Sequence, residues 1–178
     1  MAFDMRKAIE ADTAEIERVM RESTEVLGAA WYNERELASA IRFITILDPD
    51  LLRDRTYFVV EQESRIVACG GWSSRRKLFT GGSAGVDDGA RLDATSEAAR
   101  IRAMFVHPAA ARRGLGRRIL EACEEEARGA SFARAELMAT LPGVPLYRAC
   151  GYEVMEETAL LLGDGVRLPA ARMQKLLG

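Results

Sequence analysis

Residues 99–128, "ARIRAMFVHPAAARRGLGRRILEACEEEAR", restrict the possible folds more than any other part of the chain. A β-rich run, "RIRAMFV", ends at a proline and passes through small residues and two glycines. It then opens an amphipathic helix predicted from Gly116 to about Arg128. Leu115, Ile119, Ala122 and Cys123 fall on one face of that helix, so it must lie on an apolar surface beside the strand it follows. Its first turn is crowded by Arg112, Arg113, Arg117 and Arg118. Unpaired N–H groups and aligned peptide dipoles already make a helix start positive, and each further cation is disfavoured there by roughly 0.3–1 kcal/mol. A bound anion removes the conflict. Gly114 and Gly116 leave the main chain bare, so successive N–H groups can converge on one ligand, and arginine forks match phosphate oxygens.

Two familiar phosphate motifs do not fit. A P-loop needs G-x-x-x-x-G-K-[ST], and the chain has no such run. A dinucleotide fingerprint needs G-x-G-x-x-G directly after the strand, but Ile119 stands at the third glycine, and His107 to Ala111 separate the strand from Arg112. Glu136, about twenty residues beyond the glycines, has the spacing of a ribose-binding acid, which keeps a nucleotide-dependent oxidoreductase as a third reading.

The rest of the chain gives this unit its setting. At 178 residues it reads as a single domain over 1–178, long enough to bury a core without disulfides or metals. The net charge of −2 offers no general attraction to nucleic acid or an anionic membrane, and Trp72 with Arg75, Arg76 and Lys77 reads as a solvated turn. Cys69, Cys123 and Cys150 are an odd, scattered set that fits reduced packing thiols in the cytoplasm. With one histidine, no metal site is expected.

Along the chain, "DMRKAIEADTAEIERVMRES" reads as a strand and then a helix capped by Asp12 with Glu15. "NERELASAIRFITIL" is a second helix, capped by Asn33 with Glu36 and ending before Asp48-Pro49. "TYFVV" and "RIVACGGW" form a hairpin. The glycine-rich stretch 75–99 is expected as a long loop, either a lid or disordered. Beyond the arginine-rich helix come a strand, "ARAELMAT", a short helix, "GVPLYRAC", and a closing hairpin turning at "GDG". The order β-α-α-β-β-β-α-β-α-β-β predicts an α/β (α+β type) fold: one mixed, mostly antiparallel twisted sheet flanked by helices.

Two segments together carry a resemblance. "MFVHPAAARRGLGRRIL" is similar to the acyl-CoA-binding motif of the GCN5-related N-acetyltransferase (GNAT) family, V-x-P followed by [Q/R]-x-x-G-x-[G/A] at a helix start. "ATLPGVPLYRACGYEV" resembles that family's second signature, L-Y ahead of G-[FY]. Ala111 replaces the usual Gln or Arg of the first motif, and Thr140 stands where many members carry Asn. The resemblance implies a GNAT-like acyl-CoA N-acyltransferase fold, with acetyl-CoA as cosubstrate and transfer of acetyl to a primary amine of a small molecule or protein. It further implies that Met104, Phe105 and Val106 pair with the pantetheine arm, that Arg112, Arg113, Gly114, Leu115, Gly116 and Arg117 cradle the pyrophosphate, and that Tyr147 protonates the departing thiolate. Glu136, Asp87, Asp88, Asp93 and Glu97 are candidate bases, whereas His107 reads as structural. Because no base stands out, a non-catalytic acyl-CoA-binding or sensing module is the alternative. A homodimer through sheet edges or the last hairpin is compatible with the pattern.

Overall fold

The computed structural model describes residues 2–80 and 89–178. A seven-stranded sheet runs in the order β1-β2-β3-β4-β5-β7-β6. Its strands are β1 (Asp4–Lys7), β2 (Tyr57–Gln62), β3 (Arg65–Ser73), β4 (Ala99–Val106), β5 (Arg134–Thr140), β6 (Glu153–Leu161) and β7 (Arg167–Leu176). Every pairing is antiparallel except β4 with β5, and that parallel contact holds only at Ala99 with Ala135 and Arg100 with Glu136. Beyond Arg100 the two central strands part, which opens the sheet from its middle.

Helices α1 (Thr13–Gly28), α2 (Glu34–Phe43) and α3 (Pro49–Arg53) precede β2, α4 (Leu115–Gly129) joins β4 to β5, and α5 (Val144–Ala149) follows β5. Of the expected apolar stripe of α4, Leu115, Ile119 and Cys123 are buried and Ala122 only partly so, while Leu120 and Ala127 join the buried face, packed with Ala68, Ile101, Ala135 and Leu137 of the sheet. Ile119 and Leu120 are fully buried, each contributing about 1.5–3 kcal/mol. Ile16, Val19 and Met20 of α1 pack on the opposite face with Val59, Ile66 and Cys69.

The second cap forms as read: Asn33 Oδ1 accepts the Glu36 N–H at 2.9 Å, and Glu36 Oε2 accepts the Asn33 N–H at 3.0 Å. The first does not. Asp12 turns back to accept the Ile9 N–H at 2.8 Å and pairs with Arg6 at 2.7 Å, while Glu15 accepts the Ile66 N–H at 3.1 Å and so ties α1 to β3. A guanidinium on the neighbouring strand outcompetes a helix amide for the carboxylate. Asp48-Pro49 does not merely end a helix but begins α3, because Asp48 accepts the Asp50 N–H at 3.0 Å and proline suits the first helical position.

The flanks of the 75–99 loop are more ordered than its composition predicts. Arg76 N–H donates to Ala90 O at 2.9 Å and Leu92 N–H to Ser74 O at 2.7 Å, while Asp54 accepts from Arg75 at 2.6 Å and pairs with Arg91 at 3.3 Å. Residues 81–88, with Asp87 and Asp88, lie outside the described residues. Among the described residues no helix is long and apolar enough to cross a membrane.

Candidate active site

The parting of β4 from β5 coincides with a bulge. Gly71 pairs with Arg102 and Cys69 with Phe105, so Gly70 faces both Ala103 and Met104. Ala103 takes φ 50°, in the left-handed region that disfavours a side chain. The buried Tyr57 hydroxyl donates to Ala103 O at 2.6 Å and holds this conformation. Opposite it, Gly70 leaves room for Met104, whose Sδ a Cβ there would displace. Just before the bulge, buried Arg102 reaches Asp48 Oδ2 at 3.1 Å, Thr80 Oγ1 at 3.0 Å and Lys77 O at 3.3 Å. Just after it, His107 N–H donates to Val67 O at 2.8 Å, so strand alternation turns the Val106 N–H away from β3 and toward the gap left by β5.

The chain then turns into α4. Arg112 (φ 66°) and Gly114 (φ 78°) are both left-handed, and no side chain caps the helix. The N–H groups from Arg112 to Arg117 find no acceptor among the described residues. They sit beside Arg112 and Arg117, which have no ion-pair partner among the described residues either. A Cβ on Gly116 would stand 2.9 Å from Leu146, so glycine is what allows α5 to approach this corner. Free amides, two unpaired guanidinium groups and a bare main chain fit a pyrophosphate.

A cavity of about 730 Å³ joins these parts. Met104, Phe105, Val106, Arg112, Gly114, Leu115, Gly116, Arg117 and Tyr147 all line it. Arg113 does not; its guanidinium lies over the Phe3 ring at 6.0 Å. Tyr147 is buried, with its ring edge-on to Tyr152 at 5.9 Å, and its hydroxyl makes no hydrogen bond among the described residues. Burial pushes this phenol above its ordinary value, with smaller contributions from Cys123 and Cys150, so at neutral pH it keeps its proton.

Of the acids read as candidate bases, the three among the described residues are engaged elsewhere. Glu136 pairs with Arg100 at 2.8 Å and Arg172 at 3.1 Å, Asp93 caps a turn through Thr95 N–H at 2.9 Å, and Glu97 accepts the Asp93 N–H at 2.8 Å. His107 Nδ1 accepts the Ala109 N–H at 3.1 Å and Nε2 meets Glu22 at 2.7 Å, which makes it a turn-former. Among the described residues no group of three His, Cys, Asp or Glu is arranged to hold a metal ion.

Opposite the arginine turn stands a wall from the two N-terminal helices, which the sequence leads one to expect around the acceptor together with the glycine-rich loop and the last hairpin, though it singles out no residue there. Leu27, Trp31, Tyr32, Ala40 and Ile44 of α1, α2 and their connection supply it. Tyr32 fixes this wall, donating to Pro169 O at 2.7 Å and accepting the Leu141 N–H at 2.8 Å. Burial pushes its phenol up to about 12, although the Leu141 N–H acts in the other direction. The aromatic pair Trp31-Tyr32 directly before the Asn33 cap was the available signal. Tyr57 carried none, because its role depends on a partner 46 residues away.

The sequence profile of the acetyltransferase (GNAT) family matches residues 13–152. Comparison with curated protein sequences finds no match. Among solved structures, the chain is similar to a GCN5-related N-acetyltransferase from Rhodopseudomonas palustris, with a TM-score of 0.71 and 18% identity over 99% of this chain and 96% of that one. It is also similar to the PaiA N-acetyltransferase from Thermoplasma acidophilum, solved with coenzyme A, with a TM-score of 0.68 and 18% identity over 99% of both chains. A third is yncA from Salmonella typhimurium, solved with its cofactor acetyl-CoA, with a TM-score of 0.65 and 18% identity over 100% of this chain and 95% of that one. At such identities the structures speak for the fold, and the profile over most of the chain speaks for descent: this protein belongs to the GNAT acetyltransferase family.

Proposed function

We propose that this protein moves an acetyl group from acetyl-CoA to a primary amine of a small molecule or protein, by direct attack in a ternary complex, with the chain acting as one catalytic domain. The reading is carried by one observation: the unpaired amides of 112–117, with Arg112 and Arg117, share a cavity with the freed edge of β4 and the Tyr147 hydroxyl. Acetyl-CoA supplies the activated thioester.

In this reading the amides and arginines of the turn hold the pyrophosphate, and the main chain from Met104 to Val106 pairs with the pantetheine arm as an added strand would. The Val106 N–H, directed into the gap, donates to the thioester oxygen as charge develops on it. Tyr147 donates its phenolic proton toward the sulfur. A phenol made more basic by burial is a weak acid, so its transfer is favourable only when coupled to proton loss from the newly bonded nitrogen. Three free cysteines, two of them buried, accord with cytoplasmic residence as part of the same reading.

Thermal unfolding with acetyl-CoA, together with thiol release across an amine panel, tests the proposal. At one hundred times its Kd the ligand should stabilise by about 2.7 kcal/mol, a rise of about 5–11 °C for a chain of this size. Saturable binding without thiol release would reduce the protein to an acyl-CoA-binding module. No shift with any acyl-CoA would overturn the assignment.

A further inference from the structure

The cavity changes character with distance from the arginine turn. Its only charged lining side chains among the described residues are Arg112 and Arg117, and no Asp or Glu lines it. The opposite end is walled by Leu27, Trp31, Ala40 and Ile44. Two of the hydroxyls there are committed, Thr24 donating to Met20 O at 2.8 Å and Tyr32 both donating and accepting, which leaves the neutral hydroxyls of Ser23 and Thr140 as the polar groups of that end. Acids of the surrounding elements are tied to other groups or, like the exposed Glu25 and Glu34, do not line the cavity. Glu22 holds His107 at 2.7 Å and Arg18 at 2.9 Å, Glu17 accepts the Leu47 N–H at 3.0 Å, and Asp48 holds Arg102 at 3.1 Å. Among the described residues the cavity thus has a protonated phenol, Tyr147, without a carboxylate to accept a proton or to offset an ammonium charge.

From this we infer that the acceptor is a primary amine that binds unprotonated and carries an apolar or aromatic substituent. The inference rests on the transferase reading above. An ammonium ion entering this end would lose its hydration with no counter-charge in return, whereas a neutral amine with an apolar tail loses little. Proton balance leads to the same class. The nitrogen lone pair forms the C–N bond, the C–S bond breaks, and its electron pair leaves with sulfur. The nitrogen then holds one proton too many and the sulfur lacks one. Tyr147 gives its proton to sulfur and regains one from nitrogen, so the transfer closes without a base or another reactant. An ammonium acceptor would have to shed one more proton first, and the described wall provides nowhere for it to go.

The test compares two amines sharing an aromatic substituent, phenylalaninamide and 2-phenylethylamine, with the intact protein and saturating acetyl-CoA, by free-thiol release from pH 6 to 10. An α-amino group loses its proton about 2.5 units below an alkylamine, so about 300-fold more of it is unprotonated at pH 7. Allowing for its weaker nucleophilicity, kcat/KM at pH 7 should favour phenylalaninamide by at least about 30-fold. For each amine, log kcat/KM should climb with unit slope to that amine's own pKa. A climb ending at one shared pH for both amines would overturn the inference, because a group on the protein would then be taking the proton. Equal use of a polar diamine at pH 7 would overturn it as well. Thiol release from no amine, with acetyl-CoA still raising the Tm, would overturn it together with the transferase reading and leave cofactor binding standing.

Discussion

Replacing Tyr57 with phenylalanine removes one oxygen from a fully packed position, and the effect should appear mainly at the β4 bulge. The lost atom donates to Ala103 O at 2.6 Å, and Ala103 sits at φ 50°. A left-handed alanine is disfavoured by about 1–2 kcal/mol, and the bulge persists because its surroundings hold it. The hydrogen bond contributes about 0.5–1.5 kcal/mol, and a carbonyl left without a donor adds desolvation, so Tyr57→Phe should destabilise by about 1–3 kcal/mol. For this chain length that lowers Tm by about 2–12 °C. Relaxation of Ala103 would also turn Met104–Val106 away from the gap, and a loss of about 1.4 kcal/mol in cofactor alignment would mean a tenfold fall in kcat/KM for acetyl-CoA. Calorimetry with and without acetyl-CoA measures the first effect, and steady-state thiol release the second. Adding Ala103→Gly, which accepts the left-handed conformation without strain, should restore much of the cofactor affinity. If Tyr57→Phe leaves both Tm and acetyl-CoA binding unchanged, the hydroxyl does not hold the bulge and the reasoning fails.

Further expectations concern the site and the buried charges. Tyr147→Phe should lower turnover at least tenfold while shifting Tm little, since the hydroxyl has no hydrogen-bond partner among the described residues and the ring keeps its contact with Tyr152; equal kcat would remove Tyr147 from the mechanism. Gly116→Leu should abolish the acetyl-CoA thermal shift, because even a Cβ stands 2.9 Å from Leu146 and the rest of the side chain would crowd the cradle; isothermal titration reads this directly. Asp48→Asn should destabilise by about 3 kcal/mol in denaturant melts by leaving Arg102 buried without its counter-ion. The same carboxyl sets an acid limit. Burial alone would raise it, but the Asp50 N–H, Arg102 and Lys77 outweigh burial and hold it below its ordinary 3.8. Its stabilisation is therefore present above that unfolded-state value and is lost as pH falls through the lower folded one, so Tm should decline below about pH 4. Asp48→Asn should make that decline shallower.

The strand-turn-helix at 99–128 was legible because its signals are local. Helical spacing in α4, two glycines and a proline fix the corner, and the positive charge crowded at its helix start is the local signal behind the proposed pyrophosphate site. The Asn33 cap and the closing hairpin were readable for the same reason, since the partners lie within a few residues. What no local pattern could determine is how distant groups share their bonds. Asp12 and Glu15 fit a capping box, yet Arg6 and Ile66 claim them; Glu136 had the spacing of a site acid, yet two arginines hold it; Arg113 belonged to the motif, yet it lies over Phe3. The bulge that frees the β4 edge, the apolar wall from α1 and α2, and the carboxylate-free lining among the described residues all arise from contacts across tens of residues. Hydrogen-bonding and ion-pairing capacity is a limited resource, and only the folded chain settles which of several competing partners takes each group.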